Sequence, residues 1–223
     1  MWLGTILGID PSLTGTGLAR IQIHGHHTDL GPEAIDVTTA TFGTDPHKCV
    51  ASCGDADHRP VRIVDSRHRK ILKWLGAALD SRPELVVIEY PILMRQMGAG
   101  AQIERIGLFW RIVGQAHQRG IPVVPVVPAQ IKKAVTDNGA AGKPLVAEHL
   151  DRLYRDVPLR IATHDGMPRY RTDDEYDALG AATMGAVRVA HRQLPIRVTE
   201  HMLTVTNSVD WPTIPSKTRA GMA

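Results

Sequence analysis

The stretch LGTILGIDPSLTGTGLARIQI, residues 3–23, carries two strand patterns separated by a turn. Leu3 to Ile9 is an apolar run closed by Asp10, the signature of a strand buried on both faces. Leu18 to Ile23 alternates, with Ala19, Ile21 and Ile23 on one side and Arg20 and Gln22 on the other. Between them Pro11-Ser12-Leu13-Thr14-Gly15-Thr16-Gly17 has turn chemistry, so the two strands are expected to pair as a hairpin. A third strand is expected over Ala34 to Phe42. Residues 43–62 contain Gly, Pro, Asp, His and both cysteines without a period, and read as a loop or insertion.

From about Asp65 the period becomes helical. Ile71, Leu75, Ala78 and Leu79 share one face, and the helix is expected to stop before Pro83. Glu84 to Glu89 (ELVVIE) is a short buried-type strand ending in a carboxylate. Residues 100–118 form a second helix closed by Gly120, and Ile121 to Val127 another strand, with Pro128 placed to open a helix. Shorter helices are expected near 129–135 and 144–155, and a last one over about 173–192. This order of elements predicts a three-layer α/β domain over residues 1–192. Its sheet would be mixed and five-stranded, an antiparallel β1-β2-β3 meander extended by parallel strands, with helices on both faces. Residues 193–223, interrupted by Pro195, Pro212 and Pro215, read as a C-terminal extension, partly ordered at best.

The 223 residues carry 26 Lys+Arg against 23 Asp+Glu, a formal charge of +3. That is too mild to announce a nucleic-acid binder. No apolar run approaches the ~20 residues of a membrane span, and the start lacks the basic flank and long apolar stretch of a signal peptide. Cys49 and Cys53 cannot form a disulfide framework. A cytoplasmic protein without membrane contact is therefore the expectation.

Asp10 and Glu89 each end an apolar strand, where an acid must reach the mouth of the sheet or find a partner. Thr172-Asp173-Asp174-Glu175 fits a capping box, with Thr172 as N-cap. Asp174 and Asp177 then share one face of the first two turns. Helix-dipole compensation accounts for Asp173 and Asp174. It accounts less well for Asp177, which is followed by the small apolar run Ala178-Leu179-Gly180-Ala181-Ala182. Asp173, at i, i+4, could replace Asp174 as its partner. Carboxylates brought together repel unless a cation compensates them, and hard oxygen ligands suit Mg²⁺ or Mn²⁺.

These residues resemble a known family. Leu7 to Gly17 is similar to the opening motif of RuvC-type Holliday-junction resolvases, Val86-Val87-Ile88-Glu89 to their second acidic motif, and Asp174-Glu175-Tyr176-Asp177-Ala178-Leu179 to their helical D-x-x-D-A-L. Pro128 to Val135 and Gly139 to Lys143 resemble the family's basic segment, with lysines at 132 and 143. The similarity runs over roughly residues 4–190, in the family's order. It implies a ribonuclease H-like fold and a metal-dependent endodeoxyribonuclease that resolves four-way junctions in recombination and repair. Asp10, Glu89, Asp174 and Asp177 would hold two Mg²⁺ ions, with Mn²⁺ able to substitute. Lys143 would approach the scissile phosphate and Lys132 the DNA backbone. A homodimer on branched DNA is implied as well. The family commonly carries an aromatic residue a few positions beyond the second acid, whereas Tyr90-Pro91-Ile92-Leu93-Met94 has one next to the acid and none beyond it. That departure, the long 43–62 segment and the tail are divergences of the kind found in phage-encoded members.

Other signals are weighed against this reading. Gly139 to Lys143 fails as a P-loop, since Asp137 stands at the first glycine position and Pro144 replaces the Ser/Thr. A sugar-kinase-like protein would need a second domain. His47, Cys49, Cys53 and His58 could form a zinc set, although C-x₃-C is poor spacing for one. Between Arg59 and Lys73, Arg62, Arg69 and Lys73 fall near one another at i, i+7 and i+11. They form either a solvated face or, with Lys132, Lys133 and Lys143, a basic DNA track beside the acids. The apolar excess of the 100–118 helix (Ile103, Leu108, Phe109, Trp110, Ile112) suits core or a two-fold dimer interface. A flap- or fork-debranching nuclease and a catalytically silent junction-binding protein are the alternative functions.

Overall fold

The computed structural model describes residues 2–24, 34–45, 61–93, 98–161 and 171–214. Six strands, β1 (Trp2–Asp10), β2 (Thr16–His24), β3 (Ala34–Phe42), β4 (Leu85–Glu89), β5 (Val123–Val126) and β6 (Leu159–Ile161), form one sheet in the order β5-β4-β1-β2-β3-β6. The β1-β2-β3 meander is antiparallel, and β4, β5 and β6 join it in parallel. The helices are α1 (Val61–Asp80), α2 (Ala99–Gln118), α3 (Pro128–Thr136), α4 (Lys143–Leu153), α5 (Asp173–Ala190) and α6 (Glu200–Asn207).

The two faces of the sheet bury two separate apolar clusters, as strand alternation dictates. Ile6, Ala19, Ile21, Ile23, Val37, Leu85 and Val87 face α5, with α3, α4 and α6 around it. Leu7, Ile9, Val86 and Ile88 face α1 and α2, meeting Ile71, Leu75, Leu108 and Ile112. The expected three-layer mixed sheet is present.

Two departures from the expected plan are informative. The sheet has six strands, because Leu159-Arg160-Ile161 adds in parallel to β3 from Val37 to Thr39. Three residues, with Arg160 exposed and its two neighbours partly buried, are too few to show a period in the sequence. The chain after Gln193, expected as an extension, packs on the larger cluster. Leu194, Ile196, Met202 and Val205 are buried there, and Thr199 caps α6 by accepting the Met202 N–H at 3.4 Å. An eight-residue helix between prolines leaves little periodicity to read.

The segment holding His47, Cys49, Cys53 and His58 lies outside the described residues. Among the described residues, no helix is long and apolar enough to cross a membrane.

Helix α5 lies unusually close to the sheet. A Cβ placed on Gly8 of β1 would stand 2.0 Å from the Ala178 carbonyl oxygen and 2.5 Å from the Ala182 nitrogen. On Gly17 of β2 it would stand 1.9 Å from the Asp174 carbonyl oxygen. The glycines at these two positions let helix backbone rest on strand backbone.

Candidate active site

Strands β1 and β4 run parallel with Ile9 opposite Ile88. Asp10 and Glu89, the next residue on each strand, therefore stand side by side at the C-terminal ends. Period-two alternation fixes their direction: Asp10 shares a face with Gly8, and Glu89 with Val87, both turned to α5. The first turns of α5 lie over that end of the sheet. Thr172 caps the helix, accepting the Glu175 N–H at 3.3 Å, as the capping motif predicts. Glu175 itself is fully buried, and its Oε2 accepts a 2.7 Å hydrogen bond from Thr39 of β3. Thr172 and Thr41 join hydroxyl to hydroxyl at 2.7 Å. These bonds tie the start of α5 to β3.

The result is a cleft of about 490 Å³ whose lining includes Asp10, Glu89, Asp174 and Asp177 with Lys132 and Lys143. Three stretches of chain distant in sequence thus bring their acids together. Asp173 is not part of the lining. Its side chain is 62% exposed and meets Lys143 Nζ at 3.5 Å. Lys143 opens α4 after Gly142 and also stands 4.0 Å from Asp177 Oδ2. Lys132 comes from α3, which starts at Pro128 as expected.

The electrostatics follow from burial and crowding. Asp10 is pushed well above the usual carboxylate range by burial, then by repulsion from Glu89, Asp177 and Asp174, against the opposing pull of Arg105. Burial and the Asp177 charge push Glu89 up to about 7. Asp174 and Asp177 are raised chiefly by burial, with Lys143 opposing in both cases. Burial alone would lower the Lys143 ammonium, but Asp177, Asp173 and Asp174 outweigh it and raise the group. The cleft lining sets four carboxylates, Asp10, Glu89, Asp174 and Asp177, among four cations, Arg67, Arg105, Lys132 and Lys143, and burial still raises every one of the acids.

That donor set, all carboxylate oxygen, fits a hard divalent cation. Among the described residues, no three Asp, Glu, His or Cys side chains are arranged to hold an ion as they stand.

Two arginines in the cleft are absent from the candidate set drawn from the sequence. Arg105 of α2 donates from Nη2 to Glu89 Oε1 at 3.1 Å and from Nε to the Pro11 carbonyl at 3.3 Å, with Asp10 Oδ1 4.0 Å away. Arg67 of α1, part of the charge run in the sequence, is buried. It donates to Thr44 Oγ1 (2.9 Å), Glu104 Oε2 (3.3 Å) and the Leu13 carbonyl (3.3 Å), fixing the turn after β1. The signal was available. Arg67, Ile71, Leu75 and Leu79 recur every four residues, as do Arg105, Phe109 and Val113. A charged residue extending a buried stripe must be paired.

The other candidate DNA contacts lie elsewhere. Lys133 is exposed and outside the cleft lining. Arg69 and Lys73 border a separate shallow groove of about 300 Å³, where Arg69 is paired with Asp65. Arg62 falls in the first turn of α1, and its side chain lies outside the described residues. On α2, Leu108, Phe109 and Ile112 belong to the core, whereas Ile103 is 70% and Trp110 60% exposed.

No family model matches the chain. It is 30% identical over 155 residues to the crossover junction endodeoxyribonuclease RuvC of Streptomyces coelicolor, covering 67% of this chain and 69% of that protein. Over 181 residues it is 30% identical to the RuvC of Synechococcus sp. CC9311, covering 81% and 96% respectively. Among solved structures, Thermus thermophilus RuvC superposes with a TM-score of 0.53 at 24% identity, covering 82% of this chain and 95% of that one. The same protein in complex with a Holliday junction substrate superposes with a TM-score of 0.52 at 23% identity, covering 80% and 90%. These structures share the ribonuclease H-like architecture described above. With relatives at this identity matched over most of their length, the chain belongs to the RuvC family of crossover junction endodeoxyribonucleases.

Proposed function

We propose that this protein resolves four-way DNA junctions by paired, metal-dependent phosphodiester hydrolysis. The observation that carries the reading is the single cleft in which acids from β1, β4 and α5 meet Lys132 and Lys143. In this reading Asp10, Glu89, Asp174 and Asp177 hold divalent metal, two Mg²⁺ ions per site with Mn²⁺ able to substitute. The ions supply Lewis-acid charge and lower the pKa of water, which is the chemistry that phosphodiester hydrolysis needs. The carboxylates orient the attacking water in line with phosphorus. Lys143, held beside Asp177 and Asp173, stabilises the charge that develops on the phosphate and the leaving 3′ oxygen. Lys132 adds positive charge to the cleft wall. Arg67 and Arg105 fix the Pro11–Leu13 turn, so that β1 presents Asp10 in one orientation. Lys133, Arg62, Arg69 and Lys73 contact DNA further out.

The second element of the proposal is a homodimer. Tyr90, Ile92, Leu93, Ile106 and Trp110 border an apolar groove of about 410 Å³ beside the cleft. With Ile103 they offer an apolar face that two copies could share on a two-fold axis, directing two cleavages to strands of like polarity.

The test is cleavage of a synthetic immobile four-way junction with Mg²⁺, comparing the parent protein with Asp10→Asn and Asp177→Asn. Paired symmetric nicks that both variants lose, with junction binding kept, are expected. Full activity in either variant would falsify the metal assignment. Unpaired nicks along the arms would indicate a flap or fork nuclease. Binding without cleavage in Mg²⁺ or Mn²⁺ would indicate a silent junction-binding protein.

A further inference from the structure

Arg105 reaches the cleft from α2, which contributes none of the four acids. Its side chain is 12% exposed, Nη2 occupies Glu89 Oε1 at 3.1 Å, and Asp10 Oδ1 lies 4.0 Å from the same nitrogen. The Nε bond to the Pro11 carbonyl anchors the guanidinium to the turn immediately after Asp10. An arginine cannot shed its proton in a protein, so this charge is permanent. The second arginine of the cleft, Arg67, is buried and engaged by Leu13, Thr44 and Glu104. Lys143 meets the α5 side of the cleft, at Asp173 and Asp177. The strand-side acids thus have Arg105 as their hydrogen-bonded cation and the helix-side acids have Lys143, while the Lys132 charge acts on both Glu89 and Asp177.

This geometry matters for any second cation. An ion drawn to Asp10 and Glu89 meets a fixed positive charge already hydrogen-bonded to one of the oxygens it needs. As the side chains stand, Glu89 is turned toward the guanidinium.

We propose that Arg105 is a resident counter-ion of the strand carboxylates. It holds Glu89 beside Asp10 in the metal-free protein, and must release or share Glu89 when a divalent ion takes these oxygens. It is a positioning residue that sets metal affinity below what four carboxylates alone would give. The inference rests on the reading of those acids as metal ligands.

The experiment is Mn²⁺ binding to the DNA-free full-length protein, followed by calorimetry and by the free-ion paramagnetic resonance signal. Arg105→Gln is expected to lower the Kd roughly tenfold or more, the scale of one unit charge removed from ~4 Å in a partly solvated site. Arg105→Lys keeps the charge and should remain within about threefold of the parent. Asp177→Asn should weaken binding in every background. Equal or weaker binding by a folded Arg105→Gln protein, in a parent that binds Mn²⁺ through Asp177, would overturn the inference and leave the metal reading intact. If neither parent nor Arg105→Gln binds Mn²⁺ in an Asp177-dependent way, both readings fall. Should Arg105→Gln not fold, the parent protein decides the matter through its arginine side-chain ¹⁵N resonances on Mg²⁺ titration. The Arg105 signals should move to saturation while those of Arg67 stay, and unmoved Arg105 signals at saturation would refute the counter-ion role.

Discussion

Replacing Glu89 by glutamine isolates the cost of keeping an ionised carboxylate in the cleft. Glu89 is 7% exposed, and burial with the Asp177 charge moves it from an ordinary 4.5 to about 7. In the unfolded chain it titrates at its ordinary value. Between these two pH values the folded protein keeps a proton that the unfolded chain has released, so raising the pH draws the equilibrium toward unfolding. This group's contribution is therefore fully present below about pH 4.5 and lost as pH rises through about 7. At 1.36 kcal/mol per unit, about 2–3 kcal/mol disappears between pH 5 and pH 8. Glutamine cannot ionise, yet it retains a carbonyl oxygen to accept the Arg105 bond. Urea denaturation of both proteins in chelator, at unit steps over that range, should show Glu89→Gln gaining on the parent by this amount. For a chain of this size the same gain is roughly 5–10 °C in Tm. A stability difference that stays flat with pH, or shrinks as pH rises, would refute the reasoning.

Three further outcomes are expected. Gly17→Ala puts a Cβ 1.9 Å from the Asp174 carbonyl oxygen. Backbone must move to make room, so chemical denaturation should show a loss of about 3 kcal/mol or more, and nicking should fall with it. Thr39→Val removes the hydroxyl that donates to Glu175 Oε2 and should cost about 1–3 kcal/mol in the same assay, because a buried carboxylate loses one of its donors. Trp110→Glu places a charge on the exposed apolar face of α2. If the proposed dimer forms through this face, light scattering should show a dimeric parent and a monomeric variant with little change in thermal unfolding, and a variant that remains dimeric would move the interface elsewhere.

The meander and the helix starts were legible because long, two-sided strands and capped amphipathic helices leave strong periods. β3 was expected over Ala34 to Phe42 and runs over those residues. Asp10, Glu89 and Asp177 drew attention because each bounds an apolar run, and Asp174 because the capping box phases it onto the face of Asp177. β6 and α6 were not legible, being three and eight residues long with partial burial. Arg67 and Arg105 were missed for a different reason. Both sit within helices whose surface also carries exposed charges, and only their phase relative to Ile71 and Phe109 separates a buried ion pair from a solvated one. Glu175 shows the same ambiguity. Its place in a capping motif explained it locally, and the contact with Thr39, 136 residues away, is a property of the sheet.

The direct seating of α5 on β1 and β2 has a consequence for how the protein can vary. Where helix backbone rests on strand backbone at Gly8 and Gly17, the spacing between the strand acids and the helix acids is set without an intervening layer of side chains. Core residues elsewhere in the two clusters can exchange volume without altering that spacing. A protein built this way can drift to 30% identity and keep the same interval across its cleft, because two hydrogen atoms rather than a set of interlocking side chains act as the gauge.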